Sequence, residues 1–307
     1  MSTAAWLWIP IVLWAAFAQT VRNAAQKNLT KAHGALPATL VRFIYGLPFA
    51  AVWLIAVMMW TGAALPAVSP TFVAGFLPWV TVGSVGQILG TALLLLAMDR
   101  TNFAVASAYS KTEVLQVAIF AVVLLGEAVT LNSAIAIVIA TAGVVLMSAK
   151  DAKSASGRTW LSQAAIYGIG SGALFAITAV GYRGATVALA EPNPAIAGAY
   201  TLVWAQSIQT LLLGGYLYVT QRDKLAAVLG AWRLSVLAGF MGAAASAGWF
   251  TAFAMRNAAD VRALGLIEVF FSYALARRMF GERTSVLEGT GMALLTLGLA
   301  ILCLQFY

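Results

Sequence analysis

Ten apolar stretches follow one another along this chain with little between them. They run over about 5–26, 38–60, 74–98, 104–125, 131–149, 160–189, 196–219, 235–255, 263–276 and 285–305. Most come near the roughly 20 residues that an α-helix needs to cross a bilayer. In hydrocarbon every backbone amide and carbonyl must be satisfied within its own segment, so such a stretch has to be a helix. Apolar residues make up 62% of the chain and charged residues 9%, far too little charge for the surface of a soluble protein of this size. The fold class that follows is an all-α integral membrane protein. The ninth stretch is short, bracketed by Arg262 and Arg277.

The net charge of +8 is not a nucleic-acid signature, because the basic residues are scattered between apolar stretches and form no long run. Cys303 is the single cysteine, which excludes an intramolecular disulfide or a cysteine-based metal site. His33 is the single histidine, in a loop. No metal or cofactor is expected. The residues before Trp6 carry no charged n-region, so the first helix is expected to stay and not to be cleaved as a signal peptide. Gly168, Gly170 and Gly172 superficially suggest a phosphate loop, yet they sit inside an apolar stretch with no strand before it. Close helix packing is the expected role. Pro10, Pro48 and Pro78 fall inside apolar stretches and should kink or break them.

The one hydrophilic linker, 150–159, divides ten helices into two sets of five, 1–149 and 160–307. The halves repeat. Glu113-Val114, Gly126-Glu127 and Gly143 recur as Glu268-Val269, Gly281-Glu282 and Gly298, each at an offset of 155 residues. Five is odd, so a duplicated five-helix unit enters the membrane in opposite senses in its two copies. The expectation is a pair of inverted repeats with a binding site between them, near the bilayer midplane. Loops after odd-numbered helices carry twelve Lys/Arg; those after even-numbered helices carry Arg256 and Arg262. By the positive-inside rule both termini lie outside.

Together these motifs resemble the EamA-type transporters of the drug/metabolite transporter superfamily. The resemblance rests on the doubled Glu and Gly-Glu pattern, on Thr141-Ala142-Gly143 and Thr296-Leu297-Gly298 in the closing helices, and on Arg42-Phe43 in the second stretch. It implies two five-helix modules and transport of a small solute. It departs in having Val after each Glu where Pro is common, and Tyr200-Thr201 in place of a second Arg-Phe. It also implies cytoplasmic termini, against the charge count.

A charge at membrane depth costs about 2.5–3.5 kcal/mol on insertion scales. Six ionisable residues lie in the apolar stretches: Arg22, Arg42, Lys111, Arg183, Glu113 and Glu268. Four cations against two anions suggest a cavity for a carboxylate or other anionic group; the plainer alternative is pairing among themselves or with backbone carbonyls, or snorkelling. Gln19, Arg22, Asn23 and Gln26 share one helical face, which should look at protein or water. Lys111 and Glu113, two apart, do not face each other. Glu113 is a candidate partner of Arg42, leaving Lys111 to face the cavity. The position matching Lys111 is Leu266. Gln87, Tyr200 and Trp204 supply polar-aromatic walls. The substrate-binding candidates are therefore Arg42, Lys111, Gln87, Tyr200, Trp204, Gln19 and Asn23. Glu113 and Glu268 are candidates for proton coupling, since a buried Glu can exchange protons near neutral pH, or for structural hydrogen bonds. Glu127 and Glu282 should bind backbone amides at a helix start.

The function expected is secondary transport of an anionic or zwitterionic metabolite, such as an amino acid, by alternating access across a bacterial inner membrane. The partners are a small-molecule substrate, the lipid bilayer and, as a candidate coupling ion, protons, with no nucleic acid, and the protein is a monomer or homodimer. The alternative is an intramembrane enzyme acting on a lipid or isoprenoid, which would need clustered Asp, His or Cys that this chain lacks.

Overall fold

The computed structural model describes residues 6–67, 69–70, 72–100, 106, 109–154, 163–271, 273–274 and 286–305. Among them there are helices and turns and no strand. The helices are α1 (Trp8–His33), α2 (Ala35–Ile44), α3 (Leu47–Thr61), α4 (Leu77–Arg100), α5 (Glu113–Leu125), α6 (Leu131–Ser154), α7 (Gln163–Ala188), α8 (Pro194–Thr220), α9 (Arg222–Gly230), α10 (Trp232–Met255), α11 (Ala258–Gly265) and α12 (Val286–Leu304). A π-helical turn, Phe72–Phe76, leads into α4.

Five helical stretches are long and apolar enough to cross a membrane: Ala35–Thr61, Phe72–Met98, Gln163–Ala188, Pro194–Thr220 and Ser235–Met255. Leu131–Leu146 and Gly289–Leu304 are shorter apolar helices. Large apolar side chains such as Met59, Trp60 and Leu211 are exposed along these helices, as a lipid-facing surface requires.

Several boundaries differ from the sequence reading. The second stretch is two helices, broken at Tyr45-Gly46, with Pro48 at the second position of α3. Pro10 lies in the first turn of α1, where a missing amide costs nothing, whereas Pro78 stands directly after the π-helical turn, inside the span Phe72–Met98. The linker begins late, because α6 runs on to Ser154; residues 155–159 lie outside the described residues. A loop was expected after Thr220, but α9 forms there. The ninth stretch begins five residues early, at Ala258, so Arg262 is a helical residue of α11 and not part of a loop.

The chain forms two compact units, and each draws on both halves of the sequence. The first holds the described residues of 1–13, 89–180 and 257–307. At its centre α6 lies against α12. A Cβ at Gly143 would stand 2.6 Å from the Gly291 carbonyl oxygen, and one at Gly298 would stand 2.7 Å from the Ala140 amide nitrogen. The glycines matched by the repeat thus each take the backbone of the other's helix. Gly168 and Gly172 of α7 similarly admit Tyr109 and the Ser110 carbonyl, with Cβ approaches of 2.5 and 2.9 Å. Their role is close packing.

The second unit holds residues 14–88 and 181–256. Here α2 packs on α8 through Leu40, Phe43, Leu213 and Leu217. Leu29, Ala38, Val41, Val228 and Ala238 join α1, α2, α9 and α10. Gly198 of α8 sits on the Thr251 backbone of α10, and Gly239 of α10 on Tyr45. The Tyr45 hydroxyl donates to the Leu229 carbonyl at 2.7 Å and holds the end of α9.

Candidate functional site

Each unit gathers polar groups at membrane depth, and the two do so differently. In the first, Glu113 and Glu268 both stand just after an interruption of their helices. Thr112 is a turn residue before α5, its hydroxyl donating to the Tyr109 carbonyl at 2.6 Å. Leu266 and Ile267 form a turn after α11, their amides bonding three residues back to Ala263 and Leu264. The sequence reading placed Glu113 two turns into a continuous helix; it is the first residue of α5.

Both carboxylates are buried, Glu113 at 3% exposure and Glu268 at 7%, and each is met by a cation from the other half of the sequence. Arg262 pairs with Glu113 through its Nη2, and Lys111 pairs with Glu268 through its Nζ. The pairing is reciprocal across the repeat. Glu113 therefore meets Arg262, where the sequence reading offered Arg42. Lys111 is engaged by an acid, where that reading had it face a cavity.

More of the same network was not anticipated. Asp260, 1% exposed, accepts from the Ser133 hydroxyl at 2.7 Å. The Asn257 side chain caps α11 by accepting from the Asp260 amide at 3.1 Å. Glu127 accepts from the Ala258 amide at 3.2 Å. Glu127 does bind a helix start, as expected, but the start is that of α11 in the other half of the sequence. Gly126, left-handed at φ 65°, ends α5, a conformation that favours glycine. Gly281 and Glu282 lie outside the described residues.

In the second unit Arg22 is buried at 8% exposure, so it does not snorkel. Its Nη2 and Nε donate to the Asn23 side-chain oxygen at 2.8 and 3.3 Å. Asn23 is itself exposed. Gln19 accepts from the Trp249 indole at 3.0 Å, and Gln26 donates to the Ala38 carbonyl at 2.8 Å. Arg42 lays its guanidinium 4.6 Å from the Phe43 ring centroid, and its Nε and Nη2 are buried without a hydrogen-bond partner. Arg183 donates to the Phe253 carbonyl at 2.5 Å, a cation closing the last turn of α10.

Gln87 belongs to a closed triangle. The Tyr182 hydroxyl donates to Gln87 Oε1 at 3.0 Å, and Gln209 Nε2 donates to Gln87 Oε1 at 2.6 Å and to the Tyr182 oxygen at 2.8 Å. Phe250 covers the Tyr182 ring at 4.3 Å. Tyr200 and Trp204 pack with Phe72 and Phe76, with ring centroids 5.7 to 6.2 Å apart between the pairs. Those two aromatics thus form a cluster with the π-turn, apart from the hydrogen bonds of the glutamine triangle.

The sequence reading missed Arg262, Asp260, Ser133, Gln206 and Gln209. Gln206 and Gln209 carried a usable signal, two amides three apart in an apolar stretch. Among the described residues no group of His, Cys, Asp and Glu could hold a metal.

No curated protein matches the chain. A crystal structure at 15% identity shares the fold, with a TM-score of 0.69 over 99% of this chain and 97% of that one. Residues 6–149 match the EamA-like transporter family. The chain is an integral membrane protein whose first half is similar to the EamA-like transporter family.

Proposed function

We propose that the protein is a secondary transporter that carries a small anionic or zwitterionic organic metabolite across a bacterial inner membrane by alternating access. Its halves, 1–149 and 160–307, act as inverted five-helix repeats. The observation that carries the reading is Arg42. A charged guanidinium with two buried, partnerless nitrogens at membrane depth is costly unless something binds it. A substrate carboxylate or similar group supplies that partner, since the arginine fork fits it.

The similarity of residues 6–149 to a transporter family supports transport over chemistry on the solute. Glu113 and Glu268 are the candidates for proton coupling, because protonating either would release the cation that it holds. Replacing Glu113 with Gln and finding transport still pH-dependent would remove it from that role.

The test is uptake of labelled amino acids and organic acids into proteoliposomes. The expected result is time-dependent accumulation of an unchanged solute, lost in Arg42→Ala. Conversion of the solute would instead favour an intramembrane enzyme, and uptake no greater than in empty liposomes would sink the proposal.

A further inference from the structure

The contact between α2 and α8 is apolar at one end and polar at the other. Leu40 and Phe43 meet Leu213 and Leu217, and a Cβ at Gly214 would lie 3.8 Å from Leu40 Cδ1. At the other end the Gln206 amide lies against Gly46, in the break between α2 and α3. A Cβ at Gly46 would stand 3.0 Å from Gln206 Nε2 and 3.2 Å from its Oε1. The two helices therefore run antiparallel, with Leu40 level with Gly214 and Gly46 level with Gln206. Arg42 and Thr210 fall between those levels. Gln206, Thr210, Leu213 and Leu217, spaced four, three and four, form one stripe of α8, and that stripe faces α2.

Polar atoms without partners gather there. Arg42 Nε and Nη2, Gln206 Oε1 and Thr210 Oγ1 are buried and make no hydrogen bond among the described residues. Gln206 is 3% exposed. Its neighbour Gln209 is by contrast tied to Gln87 and Tyr182. Buried polar groups are as a rule paired, and an unpaired one is costly. The guanidinium fork fits a carboxylate. Gln206 Oε1 can only accept, so it calls for an O–H or N–H on the same ligand.

Charge decides between the two donors. Residues 14–88 contain no Asp or Glu, and residues 181–256 contain only Glu191 and Asp223, both outside the candidate spans of this unit. An ammonium at Gln206 would meet a neutral amide where it needs a counter-charge, and burying a charge so is costly. A hydroxyl escapes that cost. Resting on the transport reading above, we infer that Gln206 and Thr210 complete the Arg42 site and select a hydroxy acid. Its carboxylate lies on Arg42, its hydroxyl donates to Gln206 Oε1, and the Thr210 hydroxyl donates to the same ligand.

The test uses thermal melts of the purified full-length protein with butyrate, the three positional hydroxybutyrates and the three matching aminobutyrates. A ligand that binds the folded state raises the melting temperature. At least one hydroxybutyrate is expected to bind about tenfold or more tighter than butyrate and than its amino counterpart, as the loss of a hydrogen bond to a buried group implies. Gln206→Leu and Thr210→Val remove the polar atoms at similar bulk. Each should bring the hydroxybutyrate shift down toward that of butyrate, without lowering the melting temperature of the unliganded protein. The comparison of ligands on the unaltered protein stands even where a variant fails to fold. The inference is overturned if butyrate or an aminobutyrate shifts the melt as far as the hydroxybutyrates, if no hydroxybutyrate shifts it, or if the folded variants keep the original preference. Uptake in liposomes of a solute without a hydroxyl, lost in Arg42→Ala, would overturn this inference while leaving the transport reading standing.

Discussion

In the first compact unit the buried carboxylates and their cations answer one another; in the second, Arg42 goes unanswered. Glu113 has Arg262 and Glu268 has Lys111. Arg42 keeps two nitrogens without a partner, beside Arg22. Both arrangements place cations at membrane depth, but a closed ion pair is finished in the apo protein, whereas the two partnerless nitrogens of Arg42 are a request for a ligand. The difference separates charges that hold the fold from charges available for binding, a distinction that a count of cations against anions does not draw.

Removing one member of a closed pair should have the largest effect. Arg262→Ala strands Glu113, and a buried uncompensated charge costs about 3–5 kcal/mol. Unfolding of the detergent-solubilised protein should show that loss, and Arg262→Ala with Glu113→Ala should recover most of it. If the double variant is as unstable as the single one, the pair is not the reason for the burial of Glu113.

Next comes the helix contact beneath the pairs. Gly143→Val drives a side chain into the α12 backbone, and overpacking of this kind costs about 1–3 kcal/mol. The matched Gly298→Val should cost a similar amount, and unequal melting temperatures for the two would break the reciprocity of that contact. Tyr182→Phe removes one hydroxyl from the glutamine triangle and should cost about 1 kcal/mol.

The smallest stability effect is expected at Arg42. Arg42→Gln removes a charge with two nitrogens that no described residue partners, so the melting temperature should stay level or rise, while solute uptake falls. A drop as large as that of Arg262→Ala would erase the contrast between the two units.

The sequence made the class of the fold plain, because hydrophobicity and short loops leave few alternatives to membrane helices. It also exposed Glu113 and Glu268 as matched residues. It did not reveal their partners. Arg262 stands between two apolar stretches, and α11, only eight residues long, is too brief to display a helical period. Lys111 looked unpaired because its acid lies 157 residues away, and spacing along a helix reports only neighbours within about a turn. The polar stripe of α1 was legible as a stripe. That Asn23 would be exposed while holding a buried Arg22 was not, since the face presented to other helices is decided by tertiary packing. Tyr200 and Trp204 were visible as a pair on one helical face, but their contact with Phe72 and Phe76 depends on a π-turn that no periodicity announces.

The reciprocal pairs also bear on synthesis. Lys111 and Glu113 are made early, and the residues that neutralise them, Glu268 and Arg262, emerge from the ribosome about 150 residues later. The glycine contact between α6 and α12 waits just as long. Until then the first half holds a half-buried lysine and a buried glutamate with their eventual counter-ions still unmade. The first unit is thus closed by residues translated long after its first members, and a nascent chain halted between them would present those unmatched charges to whatever machinery surveys the membrane.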